Sequence, residues 1–238
     1  MSLILHFETS TKACSVALAN SGQLLANDFR IFEHYAHAET LNPMIQQIMK
    51  SAGQNFKDLK AVAVSSGPGS YTGLRIGISS AKGFCYGLEI PLIAISSLEV
   101  MNNVAHQIIS KGPTGPYFGQ SDYPTNEKYI FVPMMDARRM EVYTSSFDSN
   151  GNRLENDKAI VVDENFSKRF EGDKIYYFGD GMPKCISVLE QDSRSVFIDE
   201  INPDAKNMVK IAFEKFRKNE FEDLAYFEPE YLKEFGNK

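Results

Sequence analysis

The chain has 238 residues, 43% of them hydrophobic and 24% charged, and its formal net charge is −6 at pH 7. This length allows one large or two small domains, and the acidic balance without an evident basic stripe means that any nucleic-acid role would need a partner. The three cysteines form no CxxC pair, and no apolar stretch approaches the roughly 18 residues of a membrane span, so we predict a cytoplasmic protein with reduced thiols.

Three strands are predicted at the start of the chain. The apolar run Leu3–Phe7 lacks the preceding basic residues of a signal peptide, and it is followed by "CSVALA", a turn at Asn20–Gly22 and "QLLANDFRIF". Short apolar segments joined by tight turns are typical of antiparallel strands. We therefore predict that the chain opens with an antiparallel sheet.

Helices and strands alternate in the rest of the predicted first half. Apolar residues at helical spacing in "HAETLNPMIQQIMKSAG" predict a first helix, with Pro43 at its first position or at a kink. "KAVAVSS" is a predicted strand before a helix over Thr72–Leu88, and "IPLIAI" is the next strand. Ser96 and Glu99 then form a capping box that opens a helix to about Ile109.

The second half repeats the pattern of the first. Strand, acidic residue, strand, glycine turn and strand occur in this order around Glu8 to Gly22 and again around Asp136 to Gly151. Between the halves, Lys111–Glu127 is rich in Gly and Pro and has no periodicity, which predicts a loop. We predict an α/β lobe at 1–110, a boundary loop at 111–127 and a second α/β lobe at 128–238, whose tail could return to the first. Chance recurrence is the alternative.

The glycine-rich run Ser65–Phe84, "SSGPGSYTGLRIGISSAKGF", fits no phosphate-binding or nucleophile motif. A P-loop would require lysine after Gly73, and GxGxxG would require glycine at Thr72. A nucleophile elbow around Ser70 fails because Pro68 stands where a glycine is needed. The run is therefore weak evidence for nucleotide chemistry.

Within the predicted helix, small residues recur every four positions at Gly73, Gly77 and Ala81. Each glycine inside a helix costs roughly 1 kcal/mol relative to alanine, so two on one stripe imply a close approach that compensates. Two interpretations follow. The stripe packs tightly against the sheet of its own lobe, or it receives a helix from another chain.

Three turns are candidates for nucleotide contact. "FETST" (Phe7–Thr11) places an acid and three hydroxyl groups between two strands, so Glu8, Ser10 and Thr11 could hold a phosphate or only satisfy one another. Its counterpart "DARRMEVY" has arginines and a methionine where a phosphate loop needs glycine. "FGDG", with Gly179 and Gly181, could admit an adenosine or form an ordinary tight turn.

Metal binding by the histidines has little support. His34 and His37 are three residues apart, a spacing that can bring two rings near one metal on a helix. No carboxylate or third histidine joins them at a recognisable spacing. Two exposed histidines at the entry to a helix are the plainer interpretation.

The run "SSGPGSYTGLRIGISSAKGFCYGLEIPLIAISSLE" resembles the signature of the TsaB (YeaZ) family, bacterial proteins needed for threonylcarbamoyladenosine in tRNA. The resemblance continues in "ETST", "HAETLNPMI", "MDARRMEVY", "FGDG" and "PEYL", and it skips the Lys111–Glu127 loop. Glu8 stands where the family generally has aspartate, which weakens a phosphate role there. The resemblance implies two tandem lobes of the actin/Hsp70/sugar-kinase (ASKHA, ribonuclease H-like) fold.

The resemblance also implies a non-catalytic scaffold subunit. The related transferase TsaD carries a His-x-x-x-His metal motif, and the corresponding positions here are Ser97 and Met101, which cannot hold a catalytic divalent metal. The implied partners are a TsaD-type transferase and a TsaE-type ATPase, with tRNA reached only through the complex and a homodimer when alone. No cofactor is required by the chain itself, although ATP or ADP could lie at the interface within the complex.

In the family, the helix after "GPGSYTG" and the helix before it dock TsaD. The interface residues implied here are Leu41, Ile45, Tyr71, Thr72, Gly73, Arg75, Ile76, Gly77, Ser80, Ala81 and Phe84. Two other functions remain as alternatives: an ATP-dependent enzyme of the sugar-kinase type, which needs phosphate loops that hold nucleotide, and a metallopeptidase, which needs bound zinc.

Overall fold

The computed structural model describes residues 2–34, 36–110 and 128–233. The predicted boundary loop Lys111–Glu127 and the last five residues of the chain lie outside the described residues. Within them, the strands form two five-stranded sheets.

The first sheet has the strand order β3-β2-β1-β4-β5. The first three strands are antiparallel and join directly in sequence, as predicted, whereas β4 and β5 run parallel to β1. The strand bounds are β1 Leu3–Glu8, β2 Ala13–Asn20, β3 Gln23–Ile31, β4 Leu59–Gly67 and β5 Leu92–Ser96.

The second sheet repeats this topology with the order β10-β9-β6-β7-β8. Again the first three strands are antiparallel and the last two are parallel to the first, which confirms the predicted duplication. The bounds are β6 Tyr129–Asp136, β7 Glu141–Asp148, β8 Arg153–Val161, β9 Lys174–Phe178 and β10 Ser195–Ile198.

The helices of the described residues are α1 His37–Ser51, α2 Tyr71–Leu88, α3 Ser97–Ser110, α4 Ile186–Leu189 and α5 Val209–Lys218. Helix α1 begins at His37, the first residue of the predicted segment, so Pro43 lies inside the helix and not at its first position. The Ser70 side chain caps α2 by accepting a hydrogen bond of 3.2 Å from the backbone N–H of Gly73. This cap fixes the direction in which α2 leaves the glycine-rich turn.

Alternation along β1 divides the packing of the first sheet between its two faces. Leu3, Leu5 and Phe7 point into a core shared with α1 and α2. Ile4 points the other way, into a second core that contains Met208 and Ala212 next to and within α5. Helices α1 and α2 therefore cover one face of the sheet, and α5 covers the opposite face.

The chain forms two compact units whose boundary differs from the predicted one. The first unit consists of residues up to Val100 together with Pro203–Tyr231, and the second contains Met101–Asn202. Helix α5 belongs to the first unit because its apolar side packs on the first sheet. Glu222 then forms a β-bridge with Leu92 at the edge of that sheet.

Candidate functional site

The predicted phosphate turn after β1 is closed by the chain itself. Glu8, Thr9, Ser10 and Thr11 are all buried. A Cβ atom added at Gly69 would overlap the carbonyl oxygen of Ser10, so only glycine lets the chain pass this turn so closely. The backbone N–H of Ser70 donates to the same carbonyl oxygen at 2.6 Å.

Within this turn, Glu8 is held by neighbouring donors and is fully buried. Its Oε1 accepts hydrogen bonds from the backbone N–H of Ser10 at 2.6 Å and from the hydroxyl of Ser65 at 3.0 Å. Burial raises the pKa of Glu8, and the hydrogen bonds from Ser10 and Ser65 oppose that rise. The contact of Glu8, Ser10 and Thr11 with a nucleotide stays a prediction, although their groups serve the packing of the turn.

The small stripe of α2 packs against the same turn, which corrects the docking interpretation. Gly73, Gly77 and Ala81 are buried within the unit. Thr9 lies against the stripe: its hydroxyl donates to the carbonyl oxygen of Gly73 at 2.9 Å, and a Cβ at Gly77 would overlap that hydroxyl. The stripe is therefore internal packing, the other interpretation that the sequence left open.

Two interface residues predicted on α1 are also buried. Leu41 and Ile45 are 0% exposed and belong to the core beneath α1 and α2. Helical periodicity identified them correctly as one apolar face, but that face points to the sheet of the same unit. They can contribute to a docking surface only indirectly, by packing beneath the residues that are exposed.

The surface of α2 is formed by a different set of residues. Thr72 and Arg75 were predicted and are exposed, whereas Tyr71, Ile76, Ser80 and Phe84 are half-buried. We define the outer face of α2 as its exposed residues Thr72, Arg75, Ser79, Gly83, Tyr86 and Gly87.

The outer face of α2 has open space next to Gly83. No atom lies within 4 Å of a Cβ added at Gly83, and the Tyr86 side chain is 81% exposed. The interface predicted from the sequence does not include Ser79, Gly83 and Tyr86, because it places the small residues of the buried stripe at the surface. In the sequence, small residues also recur every four positions at Ser79, Gly83 and Gly87.

The segment before the C-terminus lies along α2 and borders its outer face. The rings of Tyr71 and Tyr231 are 4.8 Å apart, and Arg75 Nε donates to the Tyr231 hydroxyl at 2.9 Å. Lys82 Nζ donates to the carbonyl oxygen of Phe227 at 3.0 Å. These contacts fix the segment in place, so it forms one wall of the α2 surface.

In the second unit, the glycine turn after β9 is also filled from within. Gly179 has a positive φ of 102°, and a Cβ there would lie 2.7 Å from the Met101 sulfur. A Cβ at Gly181 would lie 2.8 Å from the carbonyl carbon of Met135. Contact of an adenosine with Gly179 and Gly181 stays a prediction, but both glycines are already required by close packing.

The β6–β7 turn places two arginines in a backbone conformation that favours glycine. Arg138 and Arg139 have φ values of 71° and 50°, and both side chains are exposed. Asp136 accepts a hydrogen bond of 2.9 Å from the backbone N–H of Arg138 and forms an ion pair with Lys184. These two interactions of Asp136 hold the turn in place. The turn exposes two arginine side chains where a phosphate loop would expose backbone N–H groups.

The histidine pair does not form a metal site. His37 is buried, which corrects the expectation of two exposed histidines, and its Nε2 is hydrogen-bonded at 2.7 Å to the carbonyl oxygen of Thr11. His34 is exposed. Across residues 2–34, 36–110 and 128–233, no group of three or more His, Cys, Asp or Glu side chains is arranged to hold a metal ion. The same residues contain no helix with the length and apolarity needed to cross a bilayer.

Two sheets of identical order, each with antiparallel strands followed by parallel ones, define the actin/Hsp70/sugar-kinase class of α/β proteins. The structure of YeaZ from Pseudomonas aeruginosa has this fold and superposes with a TM-score of 0.78 at 24% sequence identity, over 98% of this chain and 100% of that one. The predicted fold class is confirmed.

Sequence relatives identify the family within this class. The family model for TsaD, tRNA N6-adenosine threonylcarbamoyltransferase, matches residues 33–236. The tRNA threonylcarbamoyladenosine biosynthesis protein TsaB of Escherichia coli K12 is 30% identical over 97% of this chain and 94% of its own. Its Haemophilus influenzae namesake is 32% identical over 60% of this chain and 52% of its own. The chain belongs to the TsaB family, as its motifs predicted.

Proposed function

We propose that this chain is the non-catalytic partner of a TsaD-type transferase in forming threonylcarbamoyladenosine in tRNA. The names of its relatives support the pathway, and one structural observation supports the role. Helix α2 fills the turn after β1 with its buried stripe while its outer face stays open. A helix that fills the turn after β1 and leaves its outer face open suits docking better than catalysis.

The site of docking in this proposal is the outer face of α2 together with the neighbouring C-terminal segment. Interfaces are enriched in exposed aromatic residues and arginine, and here Tyr86 is 81% and Tyr226 is 84% exposed. Gly83 offers room for a close approach of a partner helix. Arg75 lies 3.9 Å from the centre of the Tyr71 ring, which orients its guanidinium group at the same surface.

The remaining partners and conditions are part of the same proposal. A TsaE-type ATPase completes the complex, tRNA is modified by the assembled complex, and the chain alone forms a homodimer in the cytoplasm. The chain alone needs no cofactor, and ATP or ADP binds at an interface of the complex. The closely packed turns at Gly69 and Gly179 support the proposal that the chain alone needs no cofactor.

The docking surface is tested by placing a bulky side chain on it. Gly83→Leu has no atom within 4 Å of its new Cβ, so the unit should fold normally while the partner helix is held away. We expect affinity for the transferase to fall at least about tenfold, which corresponds to about 1.4 kcal/mol. Gln107→Leu is the matched control, since it adds the same side chain at an exposed position of α3.

The measurement is titration calorimetry with the purified transferase, followed by the mass of the complex from light scattering. A Gly83→Leu variant that binds as tightly as the Gln107→Leu control would show that docking occurs elsewhere. Reconstitution tests the wider proposal: with this chain omitted, formation of threonylcarbamoyladenosine should stop. Full activity of the other components would refute the partner role.

A further inference from the structure

Helix α5 carries basic residues for which the proposed function has no use. The run Lys206–Lys218 contains five Lys and Arg residues and a single carboxylate, Glu214, in a chain with a net charge of −6. The apolar side of the helix, with Val209 and Ala212, is buried against the first sheet. The charged side is therefore directed away from the unit.

Two of these cations share a face of α5, and a third precedes them. At 3.6 residues per turn, Lys210 and Arg217 are about 20° apart around α5 and about 10 Å apart along it. Lys206 lies in the 3-10 turn Ala205–Met208 that leads into the helix. All three are exposed, and Lys218 is exposed beside them. We call Lys206, Lys210 and Arg217 the basic row of α5. Glu214 is the one carboxylate on this side of the helix.

Carboxylates in the described part of the chain form an ion pair with only one cation of the row. Lys206 pairs with Asp204 at 2.8 Å, whereas Lys210 and Arg217 form no ion pair with any carboxylate in the described part of the chain. The helix dipole favours Arg217 near the C-terminus of α5 but opposes Lys210 in its first turn, which contains no acidic residue. A cation placed against the dipole and without a partner is best compensated by an anion outside the chain.

We propose that the basic row of α5 contacts the phosphate backbone of tRNA in the assembled complex; this rests on the proposed function. Exposed cations without a pocket suit a repeating anion, because phosphate contacts position a nucleic acid without reading its bases. A lipid surface fits less well, since the apolar side of α5 is packed inside the unit and cannot enter a bilayer.

The position of the row is compatible with docking of the transferase. Side chains of β1 alternate between the core under α1 and α2, which contains Leu5, and the core under α5, which contains Ile4. The basic row and the outer face of α2 thus lie on opposite sides of the first sheet. Both surfaces can be occupied at once.

The test compares Lys210→Glu/Arg217→Glu with Lys57→Glu/Lys60→Glu in the full chain. Both variants reverse two exposed charges, but Lys57 adjoins Phe56, which packs on the core under α1 and α2. Each is mixed with saturating transferase, and binding of an unmodified tRNA transcript is followed by fluorescence anisotropy at several salt concentrations. The mass of each protein complex is measured first without RNA.

We expect the α5 variant to assemble normally but to bind the transcript about tenfold or more weakly at low salt. The slope of log affinity against log salt should fall by about one for each phosphate that the variant no longer neutralises, and the control should match the unmodified chain. Equal affinity and slope in both variants overturn the inference and leave the partner role intact.

If the unmodified chain forms no complex, the partner role fails, and the titration is repeated with the chain alone. There too, equal behaviour of the two variants, including no binding by either, overturns the inference.

Discussion

Two alanine substitutions on the same helix should change stability in opposite directions. In Gly83→Ala the new methyl group meets no atom within 4 Å, so the variant gains only the better helix propensity of alanine, about 1 kcal/mol. In Gly77→Ala the methyl group overlaps the hydroxyl of Thr9. Thr9 must then move and give up its 2.9 Å hydrogen bond to the carbonyl oxygen of Gly73.

The cost at Gly77 exceeds the gain in helix propensity. Overpacking costs about 1–3 kcal/mol and the broken hydrogen bond about 1 kcal/mol, against about 1 kcal/mol gained from alanine. We expect Gly77→Ala to destabilise the protein by about 2 kcal/mol. For a chain of this length, that lowers the melting temperature by about 6 °C, whereas Gly83→Ala raises it by about 3 °C.

Thermal unfolding followed by circular dichroism measures both changes in one experiment. Gly83→Ala is the control for propensity, since it makes the same chemical change on the same helix. If Gly77→Ala also stabilises the protein, the close packing of Thr9 on α2 is refuted. The buried stripe would then be free, and the docking interpretation of Gly73, Gly77 and Ala81 would return.

Three further outcomes are expected. Because burial raises the pKa of Glu8, its neutral form favours the folded state, so the contribution of Glu8 to stability is fully present below about pH 4.3 and is lost as the pH rises through its folded pKa; Glu8→Gln should remove this contribution from the pH dependence in unfolding experiments from pH 4 to 8, and an unchanged pH profile would contradict it. Tyr231→Ala removes the ring contact with Tyr71 and the acceptor of Arg75, and should cost about 1 kcal/mol in urea unfolding, against no change for exposed Tyr226→Ala. Calorimetry with ATP and magnesium should show no binding to the chain alone, because Met101 and Gly69 fill the turns; tight binding with turnover would favour a sugar-kinase activity.

Local sequence signals predicted much of the fold because they depend on near neighbours. The apolar runs and tight turns of the first three strands, and their recurrence around Asp136 to Gly151, predicted the antiparallel part of both sheets. The position of α2 followed from the glycine-rich turn before it and the apolar spacing within it. These features are fixed by residues a few positions apart.

The surfaces of two helices could not be predicted in the same way. The stripe Gly73-Gly77-Ala81 was recognised, but its contact is Thr9, 64 positions before Gly73 in the chain, and periodicity does not identify a distant contact. The periodicity of α5 places Lys210 and Arg217 on one face, but it does not show whether that face is exposed. Their exposure follows only when the buried side of the helix is known.

The route of the chain determines when the first unit can be completed. Pro203–Tyr231 belongs to that unit but is synthesised after Met101–Asn202 of the second unit. Until α5 emerges from the ribosome, the sheet face that contains Ile4, Ala61 and Ile93 lacks Met208 and Ala212 and is contacted by Val100 of α3. The amino-terminal unit is therefore completed only after residues 101–202 have been made, and a chain released at residue 202 leaves part of this apolar face uncovered, which invites aggregation or binding of a chaperone.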